Sequence, residues 1–80
     1  MYHNIPKNIL WAMKSEQVKL GRNLKSIRTK KGISQGGIAR TLGVGRSFIT
    51  NIENGKTNPT LDTIARIAKA IGVSTDELLK

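Results

Sequence analysis

The sequence predicts an all-α fold, a compact bundle of five short helices with an N-terminal extension. Three observations carry that reading. Apolar residues recur at helical spacing in segments of about ten residues and nowhere alternate over a strand's length. Gly32, Gly43, Gly55 and Gly72 each follow such a segment, where a helix ends in a left-handed residue that glycine adopts cheaply. Ser34, Thr60 and Ser74, good N-cap residues, stand just before the segments they would open.

Residues 1–17 form the extension, and 18–80 the domain proper. In the extension, Asn4-Ile5-Pro6 can open a helix with Ile9, Leu10 and Met13 on one side. Two readings stay open: an extension whose apolar residues, with Trp11, rest on the domain, or a functional arm. Met13 also leaves an internal start open. Leu20, Leu24 and Ile27 recur at i, i+4 and i+7, which predicts a first helix over roughly 18–31. Ser34 caps a second helix over about 35–42, with Ile38, Ala39 and Leu42 as its apolar stripe. Phe48, Ile49 and Ile52 pattern a third over about 46–54. Asn58-Pro59 forces extended backbone before a fourth helix. Thr60 caps that helix, with Leu61, Ile64, Ala65, Ala68 and Ile71 as its inner face. Ser74-Thr75-Asp76-Glu77 has the form of a capping box and opens a fifth helix carrying Leu78 and Leu79.

The charge is large and unevenly spread. The 80 residues hold 14 Lys+Arg against 5 Asp+Glu, a net of +9. Residues 1–60 carry 11 basic and 2 acidic side chains, Glu16 and Glu53. In residues 61–80, Arg66, Lys69 and Lys80 balance Asp62, Asp76 and Glu77. An excess of this kind points to a polyanion partner, nucleic acid first and an anionic membrane surface second. The basic residues do not lie opposite one continuous apolar face, which disfavours the membrane. No apolar run approaches the roughly 20 residues of a membrane span, and the N-terminus lacks a signal-peptide pattern. With no cysteine, the chain fits a reducing compartment, and a cytoplasmic protein is expected.

The second and third segments meet a demanding geometry. Two short helices joined by a tight turn pack closely only where their crossing carries a small side chain, and Ala39 supplies it. Gly43 takes the left-handed turn, and Ile49 faces back into the corner. Ile38, Leu42, Val44 and Ile52 fill the remaining buried positions. Seven matching positions within 15 residues make a helix-turn-helix. Residues 20–79, carried by "IRTKKGISQGGIARTLGV", "SFITNIENGKTNPTL" and "IARIAKAIGVSTDELL", resemble the Cro/phage-repressor-type helix-turn-helix family. The "IENGKTNPTLDTI" stretch is similar to small controller proteins of restriction–modification systems, and also to free-standing repressors and antitoxin-type regulators. The resemblance implies a lambda-repressor-like DNA-binding domain, acting as a homodimer on a roughly palindromic operator.

With Ile49 and Ile52 claimed by the core, Arg46, Ser47, Thr50 and Asn51 are left outward on the third helix, with Gly45 and Asn54 at its ends. The resemblance places these positions in the major groove. Arg46 suits a bidentate contact with guanine O6/N7. Asn51 suits adenine or a phosphate, and Ser47 and Thr50 can reach base edges or a thymine methyl. Phe48 is open between core packing and a contact with a thymine methyl or the sugar backbone. For Gln35 the resemblance implies phosphate clamping at the second helix's N-terminus. Asn54, Lys56, Thr57 and Asn58 are further phosphate candidates, with Arg22, Lys25, Lys30 and Lys31 adding long-range attraction.

Gly36-Gly37 departs from the family, which more often has acidic or alanine residues there. Removal of negative charge near phosphate and closer backbone approach are the two open accounts. Glu53, the sole acid between residues 17 and 61, is expected to have a structural task. The resemblance implies a partly buried Arg28–Glu53 pair bracing the third helix against the first. The outward apolar residues of the neutral C-terminal part, Ile67, Val73, Leu78 and Leu79, are the expected dimer seam, because two basic surfaces repel.

No catalytic constellation is present, so the chain is expected not to be an enzyme. His3 stands alone in the extension, and the adjacent acids Asp76-Glu77 cap a helix. One His and no Cys provide no metal site, and no cofactor or small-molecule ligand is indicated. Three aromatic residues are too few for a platform stacking single-stranded bases, which leaves double-stranded DNA as the partner. The competing reading is an antitoxin-like protein-interaction module with secondary DNA binding.

Overall fold

The computed structural model describes residues 7–80, with side chains from residue 15 onward, and these form five helices and no strand. They are α1 (Lys7–Lys30), α2 (Gln35–Leu42), α3 (Arg46–Glu53), α4 (Leu61–Ile71) and α5 (Thr75–Leu79). The expectations placed on His3, Asn4, Ile5 and Pro6, and on the side chains of Ile9, Leu10, Trp11 and Met13, lie outside the described residues.

Helix α1 differs from the expected first helix by its start. It begins at Lys7 and crosses residue 17 without a break, reaching 24 residues, or about 36 Å. Residues 7–17 contain no proline or glycine and several strong helix formers. Once a helix is nucleated, adding turns costs little.

The four helix-ending glycines all have left-handed backbone, with φ between 70° and 76°. Each closes the same hydrogen-bond pattern. At Gly43, for example, its N–H donates to Arg40 O at 3.2 Å, and the next N–H, from Val44, donates to Ala39 O at 2.9 Å. The apolar residues Ile33, Val44 and Val73, one position on, then pack against the core. At the other ends, the Ser34, Thr60 and Ser74 hydroxyls accept from the N–H groups of Gly37, Thr63 and Glu77. Each such cap stabilises by about 1 kcal/mol.

The core joins Leu20 and Leu24 of α1, Ile38, Ala39 and Leu42 of α2, and Ile49 and Ile52 of α3. Ile64, Ile67, Ala68 and Ile71 of α4 and Leu78 of α5 complete it. Helix α1 lies against α3 and α5, α2 against α3 and α4, and α4 against α5. Phe48 is half-buried against this core, which favours its packing role.

The inner face of α4 is rotated from the expected one. Ile64, Ile67, Ala68 and Ile71 point inward, Ala65 is exposed, and Leu61 is 73% exposed. The expected stripe (61, 64, 65, 68, 71) and the observed one (64, 67, 68, 71) share three residues and both have helical spacing, and packing against α2 and α5 selects the second. Two expected seam residues are corrected by the same packing. Ile67 and Leu78 are buried within the single chain and have no surface to offer a second copy. Val73, half-buried, and Leu79, 37% exposed, remain at the surface.

Two side chains tie the bundle across long stretches of sequence, and both donate to helix C-terminal carbonyls that lack intrahelical partners. Asn23 Nδ2 donates to Leu78 O at 2.8 Å, joining α1 to α5. Arg66 Nη2 donates to Leu42 O at 3.0 Å, joining α4 to the end of α2. Gly21 permits the closest approach. A Cβ placed there would lie 2.5 Å from both Ile52 O and Glu53 O, so the C-terminal carbonyls of α3 rest directly on the α1 backbone. Gly21→Ala is therefore expected to destabilise the fold by about 1–3 kcal/mol, despite alanine's better helix propensity, in urea or thermal denaturation.

Candidate nucleic-acid interface

Helices α2 and α3 are joined by residues 43–45, with Gly43 left-handed and Gly45 as the extended N-cap of α3. Ile49, Ile52 and Glu53 turn α3's inner face to the bundle. The opposite face carries Arg46, Ser47 and Asn51, all exposed, together with half-buried Thr50. These positions follow i, i+1, i+4 and i+5 spacing and form one polar stripe. Asn54, the C-cap, is exposed at its end, and the following loop leaves Lys56 and Asn58 exposed with Thr57 half-buried.

Behind that stripe sits the only acid between residues 17 and 61. The Glu53 side chain is 2% exposed and the Arg28 side chain 13%. The guanidinium grips the carboxylate with two bonds, Nε to Oε2 at 2.6 Å and Nη2 to Oε1 at 3.0 Å. Its third nitrogen, Nη1, donates to Ile33 O at 2.9 Å, in the turn before α2. The hydrogen bond to Glu53 raises the Arg28 pKa above its ordinary value, outweighing the opposite push of burial, and the carboxylate's charge adds to the rise. With its pKa raised above an already high ordinary value, Arg28 stays cationic throughout the working pH range. The carboxylate is thus both turned inward and neutralised, and the α3 stripe faces outward without a nearby negative charge.

Gln35 is placed differently from a free clamp. Its Nε2 donates to Glu53 Oε1 at 2.9 Å. Its Oε1 lies 3.0 Å from Thr50 Oγ1 and 3.3 Å from Arg46 Nε, both donors. One amide N–H remains for an outside acceptor. Nothing lies within 4 Å of a Cβ built on Gly36, and one on Gly37 would sit 3.2 Å from the capping Ser34 Oγ. Packing within the chain therefore does not require glycine at position 36. Arg22, Lys25 and Lys30 lie on the exposed outer side of α1, with Ser26 and Thr29. Asn23, Arg66 and Gly21 were not legible as structural residues, because their partners are distant in sequence. Among the described residues no group of three His, Cys, Asp or Glu side chains could hold a metal ion.

A family model described as Helix-turn-helix (HTH_3) matches residues 24–78. The chain is 45% identical over 60 residues to the SPbeta prophage-derived uncharacterized HTH-type transcriptional regulator YonR of Bacillus subtilis (strain 168). That stretch is 75% of this chain and 56% of the relative, so the chain spans little more than half of YonR's length. The restriction-modification controller protein C.AhdI from Aeromonas hydrophila matches in structure with a TM-score of 0.76 and 36% identity, over 80% of this chain and 97% of that one. The controller protein C.Esp1396I, a tetramer in complex with its natural 35 base-pair operator, matches with a TM-score of 0.68 and 29% identity, over 80% and 95%.

Removing one partner of the buried pair leaves the other charge desolvated and unpaired. Glu53→Ala should cost about 3–5 kcal/mol, and for a domain of this size lower the Tm by more than about 10 °C in a circular-dichroism melt. An unchanged melt would remove the pair from the account of stability.

Proposed function

The chain belongs to the helix-turn-helix family, and on that premise we propose that it is a sequence-specific regulator of transcription. It binds duplex DNA through residues 34–58, as a homodimer on a roughly palindromic operator. The observation that carries this reading is the polar stripe of α3, exposed on a helix whose inner side is braced by a buried, neutralised carboxylate. Arg46, Ser47, Thr50 and Asn51 contact bases. Gln35, through its remaining N–H, and Asn54, Lys56, Thr57 and Asn58 contact phosphates. The net charge of +9 supplies long-range attraction. The likeness to C.AhdI, at 36% identity along 97% of that chain, supports a controller-type regulator. A cytoplasmic location goes with this role. No helix among the described residues is long and apolar enough to cross a membrane. The role calls for no catalytic step, cofactor or metal.

The near-neutral C-terminal part supports a dimer seam there, with Val73 and Leu79 at its surface. Sedimentation at tens of micromolar should give a dimer, in free solution or on DNA; a monomer in both would refute the homodimer. Selection from a random duplex library should return two half-sites about one helical turn apart, roughly 10 base pairs. Arg46→Ala should relax preference at one base pair of each half-site by about 10-fold or more. Lys56→Ala should instead weaken all sequences alike and reduce the slope of log affinity against log salt by about 0.9. Uniform weakening by Arg46→Ala would make Arg46 a backbone contact.

A further inference from the structure

The Gln35 amide carries an oxygen and an NH2 group of nearly the same shape, so its orientation is set only by the groups that meet each end. On one side stands Glu53, which as a carboxylate only accepts. On the other stands Arg46 Nε, which only donates. Glu53 Oε1 takes the amide nitrogen at 2.9 Å, which turns the amide oxygen toward α3, 3.3 Å from Arg46 Nε and 3.0 Å from the Thr50 hydroxyl. The carboxylate cannot swing away, because Arg28 holds both its oxygens. A reversed amide would set nitrogen against guanidinium and oxygen against carboxylate, two repulsive contacts. The chain Arg28, Glu53, Gln35, Arg46 therefore has one allowed polarity.

That polarity decides what the outer face offers. A guanidinium can make two parallel bonds either side-on, through Nε and Nη2, or end-on, through Nη1 and Nη2. With Nε held by Gln35, Arg46 presents the end-on pair. Thr50 is constrained in the same sense. Both of its intramolecular partners, Gln35 Oε1 and Arg46 O, are acceptors, so its single proton is held within the protein. Its oxygen then faces outward as an acceptor. We infer that Glu53, acting through Gln35, is a positioning residue that selects the edge of the Arg46 guanidinium and the hydrogen-bonding sense of Thr50 offered to DNA. It thereby sets base specificity without touching a base. This rests on the reading of the chain as a sequence-specific DNA binder.

The test is a double-mutant cycle of Gln35→Met and Arg46→Ala on the full chain. Its readout is the ratio of Kd for the selected operator to Kd for the same duplex altered at the base pair that Arg46→Ala relaxes. Gln35→Met, which keeps Arg28–Glu53, should lose about 10-fold of that ratio in the wild-type background and less than about 2-fold when Arg46 is already alanine. Equal weakening of both duplexes by Gln35→Met, or the same loss in both backgrounds, overturns the proposal and leaves Gln35 as a phosphate contact. A measurement on the free protein stands independently of DNA. The Arg46 Nε–H should exchange with solvent several-fold faster in Gln35→Met, with the Arg28 Nε–H unchanged; an unaltered Arg46 rate overturns the relay. A wild-type chain that selects no sequence overturns the regulator reading and the proposal with it. One that selects a sequence but fails the cycle overturns the proposal alone.

Discussion

The Glu53 carboxylate is the constraint on which the rest of the structure depends. It stands at the last position of α3, where the helix dipole disfavours an acid, and it is nearly excluded from water. It is tolerated because three donors converge on it, two from Arg28 of α1 and one from Gln35 of α2. One side chain thus joins three helices, and Arg28 adds the turn before α2 through Ile33 O. The same contacts that lock α3 against the bundle also turn inward the only acid among residues 34–58.

That lock works with a steric one. At Gly21 the backbone of α1 meets the terminal carbonyls of α3, and no side chain larger than hydrogen fits between them. The ion pair fixes the direction in which α3 leaves the bundle, and the glycine fixes its distance. Helix α3 is only eight residues long and has no side-chain cap at its N-terminus. An isolated helix of that length is unstable in water, so its outward stripe is held in place by tertiary contacts. Affinity and specificity then separate in physical terms. In the proposed role the diffuse basic charge attracts a polyanion from a distance, and a few side chains on one stiffly mounted helix discriminate among sequences.

The legibility of the chain follows the range of each interaction. Helix ends were legible because caps and left-handed glycines act within three or four residues: Ser34, Thr60 and Ser74 each cap, and all four helix-ending glycines have positive φ. The continuity of α1 through residue 17 was not, because the sequence offers one helix opening at Asn4-Ile5-Pro6 and another helix over 18–31 with no local signal that joins them. The face of α4 was legible only in part: Ile64, Ala68 and Ile71 are buried as expected, but two stripes of equal periodicity overlap there, and Ile67 and Leu61 exchange their expected places. In the candidate interface the outward positions of α3 followed from excluding Ile49 and Ile52, whereas Gln35's attachment to Glu53 joins residues 18 positions apart.

By itself the sequence determined the helical class, the ends of the later helices, the helix-turn-helix spacing and the uneven charge. Each of these is written in residues close together or in plain composition. The tertiary structure decided which stripe of α4 is buried, how near α1 comes to α3, and which way the Gln35 amide points. Those outcomes depend on groups that meet only when the chain closes on itself. A carboxylate in water has no preferred neighbour, but one buried among three helices orders the groups around it, because an unpaired charge there costs more than any alternative arrangement.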